Sequence, residues 1–119
     1  MKIIKDQITT KRSYQHKNLA SGRWKTLTFF EQMANIGSDV ERTMKWKEKD
    51  NAEYSRMAFE RSLELLDLTI ADEKNTARLK ELLRLRETLA DYFAFDNIYQ
   101  SSEKSWRNYF YAFTFAARN

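Results

Sequence analysis

The stretch Thr26–Lys49, which reads TLTFFEQMANIGSDVERTMKWKEK, decides the fold class of this chain. Its apolar and small residues recur at steps of three and four, a spacing that places them on one face of a helix. These residues are Leu27, Phe30, Met33, Ala34, Gly37, Val40 and Met44. The whole chain of 119 residues contains no Pro, so no residue of that type interrupts the pattern. The stretch therefore predicts one long amphipathic helix.

Three segments downstream show the same periodicity, and each follows residues suited to cap a helix. The segments are Ala52–Asp72, Ala77–Phe93 and the chain from Ser101 onward. The candidate caps are Asp50 or Asn51, then Asn75 or Thr76, then Ser101 or Ser102. We predict an all-α fold, an up-and-down four-helix bundle, in a domain of residues 26–119. The segment before it, residues 1–25, is predicted to form a basic N-terminal arm.

Ala34, Gly37 and Ser38 form a patch of small residues within the first predicted helix. A Gly inside a helix destabilises it by about 1 kcal/mol relative to Ala, so a compensating contact is expected. We predict that another helix approaches closely at these three residues. A ligand pocket at the same place is the alternative interpretation.

The net charge of +4 is concentrated near the N-terminus. Residues 1–25 contain seven basic residues and one acidic residue, Asp6, whereas the rest of the chain contains 14 basic and 16 acidic residues. The seven basic residues are Lys2, Lys5, Lys11, Arg12, Lys17, Arg23 and Lys25. Such an arm predicts an acidic partner: RNA, DNA, an acidic protein face or a neighbouring subunit. A solubilising tail is the alternative.

The last predicted helix carries aromatic residues on two sides. One stripe consists of Trp106, Tyr109, Phe110 and Phe113, and a second pair consists of Tyr111 and Phe115. Because large exposed apolar patches are rare on monomers, we expect a second copy of the chain to cover part of this helix. The candidate interface residues are Trp106, Tyr111 and Phe115. A platform that stacks nucleobases, with Arg107 as its basic residue, is the alternative.

Arg61 and Arg86 fall on the apolar faces of the second and third predicted helices. A long basic side chain in such a position packs its stem and brings its charged end to solvent or to a carboxylate. Each arginine is therefore predicted to pair with a carboxylate, or both face a subunit interface.

Composition excludes several familiar kinds of site. Without Cys the chain cannot form a disulfide, a zinc ribbon, an iron–sulfur cluster or a thiol nucleophile. One His and two Gly do not suffice for a two-histidine metal site or a dinucleotide-binding loop. We expect no catalytic residue, no metal, no cofactor and no small-molecule substrate.

Localisation follows from two further patterns. The chain has no run of about 18 apolar residues and no apolar core of a signal peptide near its start. We therefore expect a cytoplasmic protein that does not cross a membrane.

The segment Gln32–Asp72 resembles a known family. It contains Ala34–Asp39, which reads ANIGSD, then the charged connector Lys45–Asn51, then Met57–Leu66, which reads MAFERSLELL. These features are similar to the four-helix-bundle proteins encoded by intervening sequences of bacterial 23S ribosomal RNA genes, a family that includes accessory proteins of diversity-generating retroelements.

The resemblance covers about a third of the chain and implies no catalytic residue. It implies an up-and-down bundle, a ring-like homo-oligomer, and binding to nucleic acid or to an enzyme that acts on nucleic acid. Asn35, Ile36 and Gly37 are structural residues in that comparison. The chain departs from the family pattern at Gly37 and Ser38, which stand where the family has Ala and Glu. The family's long first helix has no clear equivalent in residues 1–22.

These patterns favour a non-catalytic, self-associating helical bundle that serves as an interaction module. A divergent helical ribonuclease of the HEPN class is one alternative, with His16 or the arginines as its functional residues. The spacing of Arg12 and His16 matches the HEPN motif poorly. An antitoxin-like protein whose apolar surface covers another protein is the other alternative.

Overall fold

A computed structural model describes residues 22–118 and shows four α-helices. They are α1 (Phe29–Glu48), α2 (Ala52–Ala71), α3 (Leu79–Ala94) and α4 (Glu103–Arg118), and short 3₁₀ turns cover Arg23–Thr26 and Glu73–Arg78. The described part of the chain contains no strand. The all-α, four-helix prediction is confirmed. Within residues 22–118, no helix combines the length and the hydropathy that a bilayer span requires.

The first two helices begin at hydrogen-bonded caps. Thr28 precedes α1, where the Glu31 N–H donates to Thr28 Oγ1 at 3.1 Å and the Thr28 N–H donates to a Glu31 carboxylate oxygen at 2.9 Å. This reciprocal capping box fixes the first turn and explains why α1 starts three residues later than the periodicity predicts. Asn51 caps α2 as predicted, because its side chain accepts from the Tyr54 N–H at 3.0 Å.

The predicted cap of the third helix is wrong. Asn75 is buried, and its Nδ2 donates to Gln32 Oε1 and to the Thr69 carbonyl, both at 2.9 Å. Its amide is therefore committed to tertiary partners, and α3 begins after Arg78 without a side-chain cap. For α4, Ser102 caps as predicted, because its Oγ accepts from the Ser105 N–H at 3.0 Å.

The core lies on both sides of α1. This helix packs against α2 on one side and against α4 on the other, and α3 packs against α2. The core side chains include Met33, Ile36, Val40, Met44, Leu65, Leu66, Leu82, Leu85, Leu89, Trp106 and Phe110. Because α1 contacts two helices, it buries residues along most of its length, from Phe29 to Met44.

Trp24 falls within the predicted arm of residues 1–25, yet its side chain is 2% exposed and belongs to the core. The core therefore includes a residue that precedes position 26. Periodicity missed this residue, because one aromatic side chain in a four-residue turn produces no repeat.

A buried hydrogen-bond network fastens Trp24 to the helices. The Trp24 indole N–H donates to Thr69 Oγ1 at 2.9 Å, and Gln32 Nε2 donates to the Trp24 carbonyl at 3.1 Å. Gln32 Nε2 also donates to an Asp72 carboxylate oxygen at 2.9 Å, which Lys74 Nζ contacts at 2.5 Å. These contacts join the start of the domain, α1 and the end of α2. Satisfied polar groups of this kind select one arrangement of the elements, since leaving any member without its partner is costly.

The Asp72 carboxyl is the ionisable centre of this network. Burial by itself raises its pKa, but the hydrogen bonds from Lys74 and Gln32 outweigh burial, and the net effect lowers the pKa below its usual value. A lowered carboxyl pKa in the folded state contributes stability that is present at neutral pH. That contribution is lost as the pH falls through the folded-state pKa.

Both arginines on apolar faces pair with carboxylates inside the chain. Arg61 Nε lies 3.8 Å from Asp39 Oδ1, which joins α2 to α1. Arg86 Nε donates to Asp67 Oδ1 at 2.7 Å, which joins α3 to α2, and this hydrogen bond raises the pKa of Arg86. Of the two alternatives for these residues, the structure shows pairing within the chain.

Replacing Asp72 tests the network. We expect Asp72→Asn to lower the free energy of unfolding by about 1–3 kcal/mol at pH 7, because Lys74 loses a charged acceptor. The difference from the unmodified protein should shrink as the pH falls below about 4, where the carboxyl of the unfolded chain begins to bind a proton, and it should disappear as the pH falls through the lowered folded-state pKa of Asp72. Urea unfolding followed by circular dichroism between pH 3 and pH 7 measures it. A difference that does not change with pH would contradict the assigned role, and the exposed Glu73→Gln serves as control.

Candidate interaction surface

The outer side of α4 exposes two aromatic side chains. Tyr111 is 67% exposed and Phe115 is 58% exposed. Their rings stack on each other, with centroids 6.4 Å apart and planes at 25°. They follow each other at one helical turn, so helix geometry holds them side by side. We call this pair the α4 aromatic surface.

The other aromatic stripe of α4 faces inward. Phe110 packs on α1, and Phe113 lies 5.8 Å from the Phe29 ring. Tyr109 is partly buried, and its hydroxyl donates to a Glu81 carboxylate oxygen of α3 at 3.1 Å. Desolvation first, and then the charge of Glu81, raises the pKa of Tyr109. The hydroxyl therefore stays protonated and serves as a hydrogen-bond donor that ties α4 to α3.

Trp106 requires a correction to the predicted interface. It is 5% exposed, and the rings of Tyr92, Tyr109 and Phe110 surround it at centroid distances of 6.2–6.4 Å. Its side chain is thus covered by the chain itself, because α4 turns this stripe toward α1 and α3. Tyr111 and Phe115 remain as the accessible candidates.

Gly37 sets the distance between α1 and α4. A Cβ built on Gly37 would lie 2.8 Å from Phe110 Cβ and 2.9 Å from Phe110 Cγ, closer than real carbon atoms approach each other. Ser38 is exposed on the same side of α1, and Ala34 is partly buried. The predicted close approach of another helix is therefore observed at Gly37.

A shallow groove of about 280 Å³ runs along the contact between α1 and α4. Gly37, Ser38 and Glu41 line it from α1, and Arg107, Tyr111 and Thr114 line it from α4. We call it the α1–α4 groove. It lies directly beside the α4 aromatic surface, so a projection and a recess share one face of the molecule.

Arg107 joins three carboxylates at one end of this groove. It donates to Glu41 at 3.0 Å and lies 3.6 Å from Glu48 and 3.5 Å from Glu103. The hydrogen bond to Glu41 is the main reason that the pKa of Arg107 is raised. Desolvation, followed by the hydrogen bond and charge of Glu48, raises the pKa of Glu103. Arg107, the basic residue of the alternative nucleobase-stacking platform, is therefore already paired with carboxylates. Their negative charges disfavour the binding of a nucleic-acid phosphate backbone at this place.

Two features escaped the sequence interpretation. The loop after α3 exposes Phe95 and Ile98, while the Asp91 carboxylate accepts from the Ile98 and Tyr99 N–H groups at 2.9 and 3.0 Å. Asn97 in this loop has a positive φ of 54°, and the sequence gave no sign that Asp91 holds the loop.

The second missed feature is a larger groove of about 700 Å³ along α2, bounded by the ends of α1 and α3. Phe59 and Leu63 of α2 and Phe93 and Ala94 of α3 form its apolar part. Its charged residues are Lys47, Asp50, Arg56 and Glu60. We call it the α2–α3 groove. Periodicity could not reveal it, because these apolar residues follow the same repeat as core residues.

The basic residues of the predicted arm divide between two parts of the chain. Lys2, Lys5, Lys11, Arg12 and Lys17, together with His16, lie outside the described residues. Arg23 and Lys25 are exposed in the turn around Trp24, and the Lys25 carbonyl accepts from Lys74 Nζ at 3.1 Å. Among residues 22–118, no group of three or more His, Cys, Asp or Glu side chains is placed to hold a metal ion.

No family model, curated protein or solved structure matches the chain. The resemblance to proteins of ribosomal intervening sequences therefore depends on the residues of Gln32–Asp72 alone.

Enlarging Gly37 tests the helix contact that supports the surface. We expect Gly37→Ala to lower the free energy of unfolding by about 1–3 kcal/mol, because the added methyl group meets the base of the Phe110 side chain. The expected net loss of about 1–3 kcal/mol already includes the gain in helix propensity of up to about 1 kcal/mol, which works against the steric cost. Urea unfolding at neutral pH measures the change. The control Ser38→Ala, at an exposed neighbouring position, should change the free energy of unfolding by at most about 0.5 kcal/mol. A change equally small for Gly37→Ala would exclude the close contact.

Proposed function

We propose that the protein is a non-catalytic interaction module that associates with a second copy of itself through the α4 aromatic surface. The observation that carries the proposal is the outward stack of Tyr111 and Phe115. Tyrosine and phenylalanine provide large contact areas with few rotatable bonds, so ordering them in an interface costs little entropy. When a partner covers both side chains on the solvent side of a helix, apolar surface is removed from water, and this favours association.

The position of the α1–α4 groove favours a second copy as the partner. In a two-fold interface the same patch is used by both copies, so a patch must complement itself. Here the projecting Tyr111 ring and the recess beside Gly37 lie on one face. A two-fold axis between antiparallel α4 helices lets each Tyr111 enter the groove of the other copy.

Charge supports the same pairing. Antiparallel α4 helices centred between Tyr111 and Phe115 bring the exposed Arg118 of one copy opposite the helical turn that contains Arg107 in the other. That turn is surrounded by the carboxylates of Glu41, Glu48 and Glu103. Opposite charges then meet at both ends of the pair, which favours this orientation over a parallel one.

The antiparallel contacts within the chain support an up-and-down bundle as the scaffold. The start of α4 lies near the end of α1, where Arg107 reaches Glu48, and Phe113 lies near Phe29 at the start of α1. A rigid scaffold of this kind holds the interface residues in place before a partner binds, which lowers the cost of association.

Polar substitutions on α4 test self-association. We expect the full chain to form dimers at micromolar concentration, and Tyr111→Ser combined with Phe115→Ser to raise the dissociation constant about 30-fold or more, which corresponds to about 2 kcal/mol. Sedimentation velocity between 1 and 100 µM measures both. Phe95→Ser is the matched control, because Phe95 is exposed on the loop after α3 and should leave the association unchanged. A full chain that stays monomeric over this range would exclude the proposal.

Nucleic-acid binding through the N-terminal segment is a second candidate function. The observation that favours it is the distribution of charge: residues 22–118 contain 16 basic and 16 acidic residues, so the net charge of +4 belongs to residues 1–21. Binding driven by such a segment depends on the release of counterions from the phosphate backbone.

Salt dependence tests this second function. We expect the full chain to bind single-stranded RNA or DNA at low salt, with an affinity that falls steeply as salt rises. Neutralising Lys11, Arg12 and Lys17 should reduce the log–log salt slope by roughly two. Fluorescence anisotropy with a labelled 20-mer measures the slope. As a control, neutralising the exposed Lys80, Arg84 and Lys104 changes the net charge equally and should reduce the salt slope less. Absence of binding to both RNA and DNA at low salt would exclude this function.

A further inference from the structure

The carboxylates around Arg107 carry more negative charge than this one residue neutralises. Arg107 Nε lies 3.0 Å from Glu41, its Nη2 lies 3.6 Å from Glu48, and its Nη1 lies 3.5 Å from Glu103. One guanidinium therefore faces three carboxylates, and one positive with three negative charges leaves a net charge of −2 when all are ionised. We call these four residues the Arg107 cluster.

Two carboxyl groups of the cluster interact directly with each other. Glu103 on α4 forms a hydrogen bond with Glu48 on α1. Ionised carboxylates are acceptors only, so a hydrogen bond between two of them requires a proton on one. Desolvation first, then Glu48 and lastly Glu41, raises the pKa of Glu103, although Arg107 acts in the opposite direction. In a single copy the cluster therefore retains a proton at a pH where an ordinary glutamate is already ionised.

Other charged groups near the cluster leave this balance unchanged. Lys45 and Lys104 are exposed on neighbouring turns of α1 and α4, and neither lies within ion-pair distance of the three carboxylates. On α3, desolvation and then the charge of Glu103 raise the pKa of Tyr92, so this hydroxyl stays neutral. Lys47 Nζ lies over the Tyr92 ring, 5.9 Å from its centroid. Among residues 22–118, Arg107 is thus the cation that is paired with the cluster.

The proposed pairing of α4 helices supplies a second cation. Arg107 and Tyr111 are one helical turn apart, so the cluster borders the α4 aromatic surface. In the antiparallel pair, Arg118 of the second copy lies opposite this turn. A positive charge close to a carboxyl group favours its ionised form. Since binding of the second copy then favours loss of the proton, loss of the proton must equally favour binding of the second copy.

We propose that the Arg107 cluster makes self-association through α4 depend on pH, because the Glu48–Glu103 pair releases its proton when a second copy binds. At neutral and higher pH the ionised cluster attracts Arg118. As the pH falls through the raised pKa of Glu103, one negative charge is lost and the dimer weakens. A two-fold dimer contains two clusters, so the effect enters twice. The inference rests on the proposed function, because it requires the paired α4 helices.

Sedimentation velocity of the full chain between pH 5 and pH 8, at constant ionic strength, tests this linkage. We expect the dissociation constant at pH 5 to be about tenfold higher than at pH 8, which is about threefold for each cluster. Glu103→Gln keeps the shape of the side chain but cannot ionise. It should therefore raise the dissociation constant at pH 8 and reduce its change with pH to less than about threefold. Arg118→Gln removes the incoming cation and should reduce the change with pH in the same way.

Two control variants separate the cluster from other titrating groups. Glu73→Gln removes an exposed carboxyl group in the turn Glu73–Arg78. His16→Gln removes the only histidine, a residue type that ordinarily titrates in this range. Both variants should keep the pH dependence of the full chain.

The outcomes distinguish this inference from the proposed function. A dimer that is equally strong at pH 5 and pH 8, or stronger at pH 5, would overturn the inference and leave the proposed function intact. So would a pH dependence that survives in Glu103→Gln or disappears in His16→Gln. A chain that stays monomeric at every pH would overturn both.

Discussion

The close contact between Gly37 and Phe110 is the constraint on which the arrangement of the last helix depends. With no Cβ at residue 37, α4 approaches α1 until the base of the Phe110 side chain occupies the vacant space. That approach buries Trp106 and Phe110. Because a helix has only one side facing its neighbour, the same contact turns Tyr111 and Phe115 to the outside. The proposed interface therefore depends on the absence of a single methyl group within α1.

The polar network around Gln32 has a different role. It fixes the start of the domain and the end of α2 against α1, through Trp24, Thr69 and Asp72. Apolar packing alone tolerates sliding of one helix along another, whereas a buried amide with defined donors and acceptors does not.

Sequence periodicity predicted the helices but did not predict the contacts between them. Asn51 and Ser102 act as caps where local chemistry predicts, because a cap needs only its own first turn. Asn75 has the same local chemistry, but buried partners from α1 and α2 bind its amide instead. The aromatic residues of α4 illustrate the same limit of local information. Tyr111 and Phe115 face solvent, whereas Trp106 belongs to the core, and their spacing alone did not separate the two outcomes.

The sequence by itself determined an all-α chain with four amphipathic segments, the absence of cysteine chemistry, and the concentration of net positive charge before the helices. These properties follow from residue types and from repeats of three and four, which are local. Only the tertiary structure decided that Gly37 receives Phe110, that Arg61 and Arg86 pair with Asp39 and Asp67, and that a groove opens between α2 and α3. Each of these depends on which faces of distant helices meet, and that choice is made by packing across the whole domain rather than by any one segment.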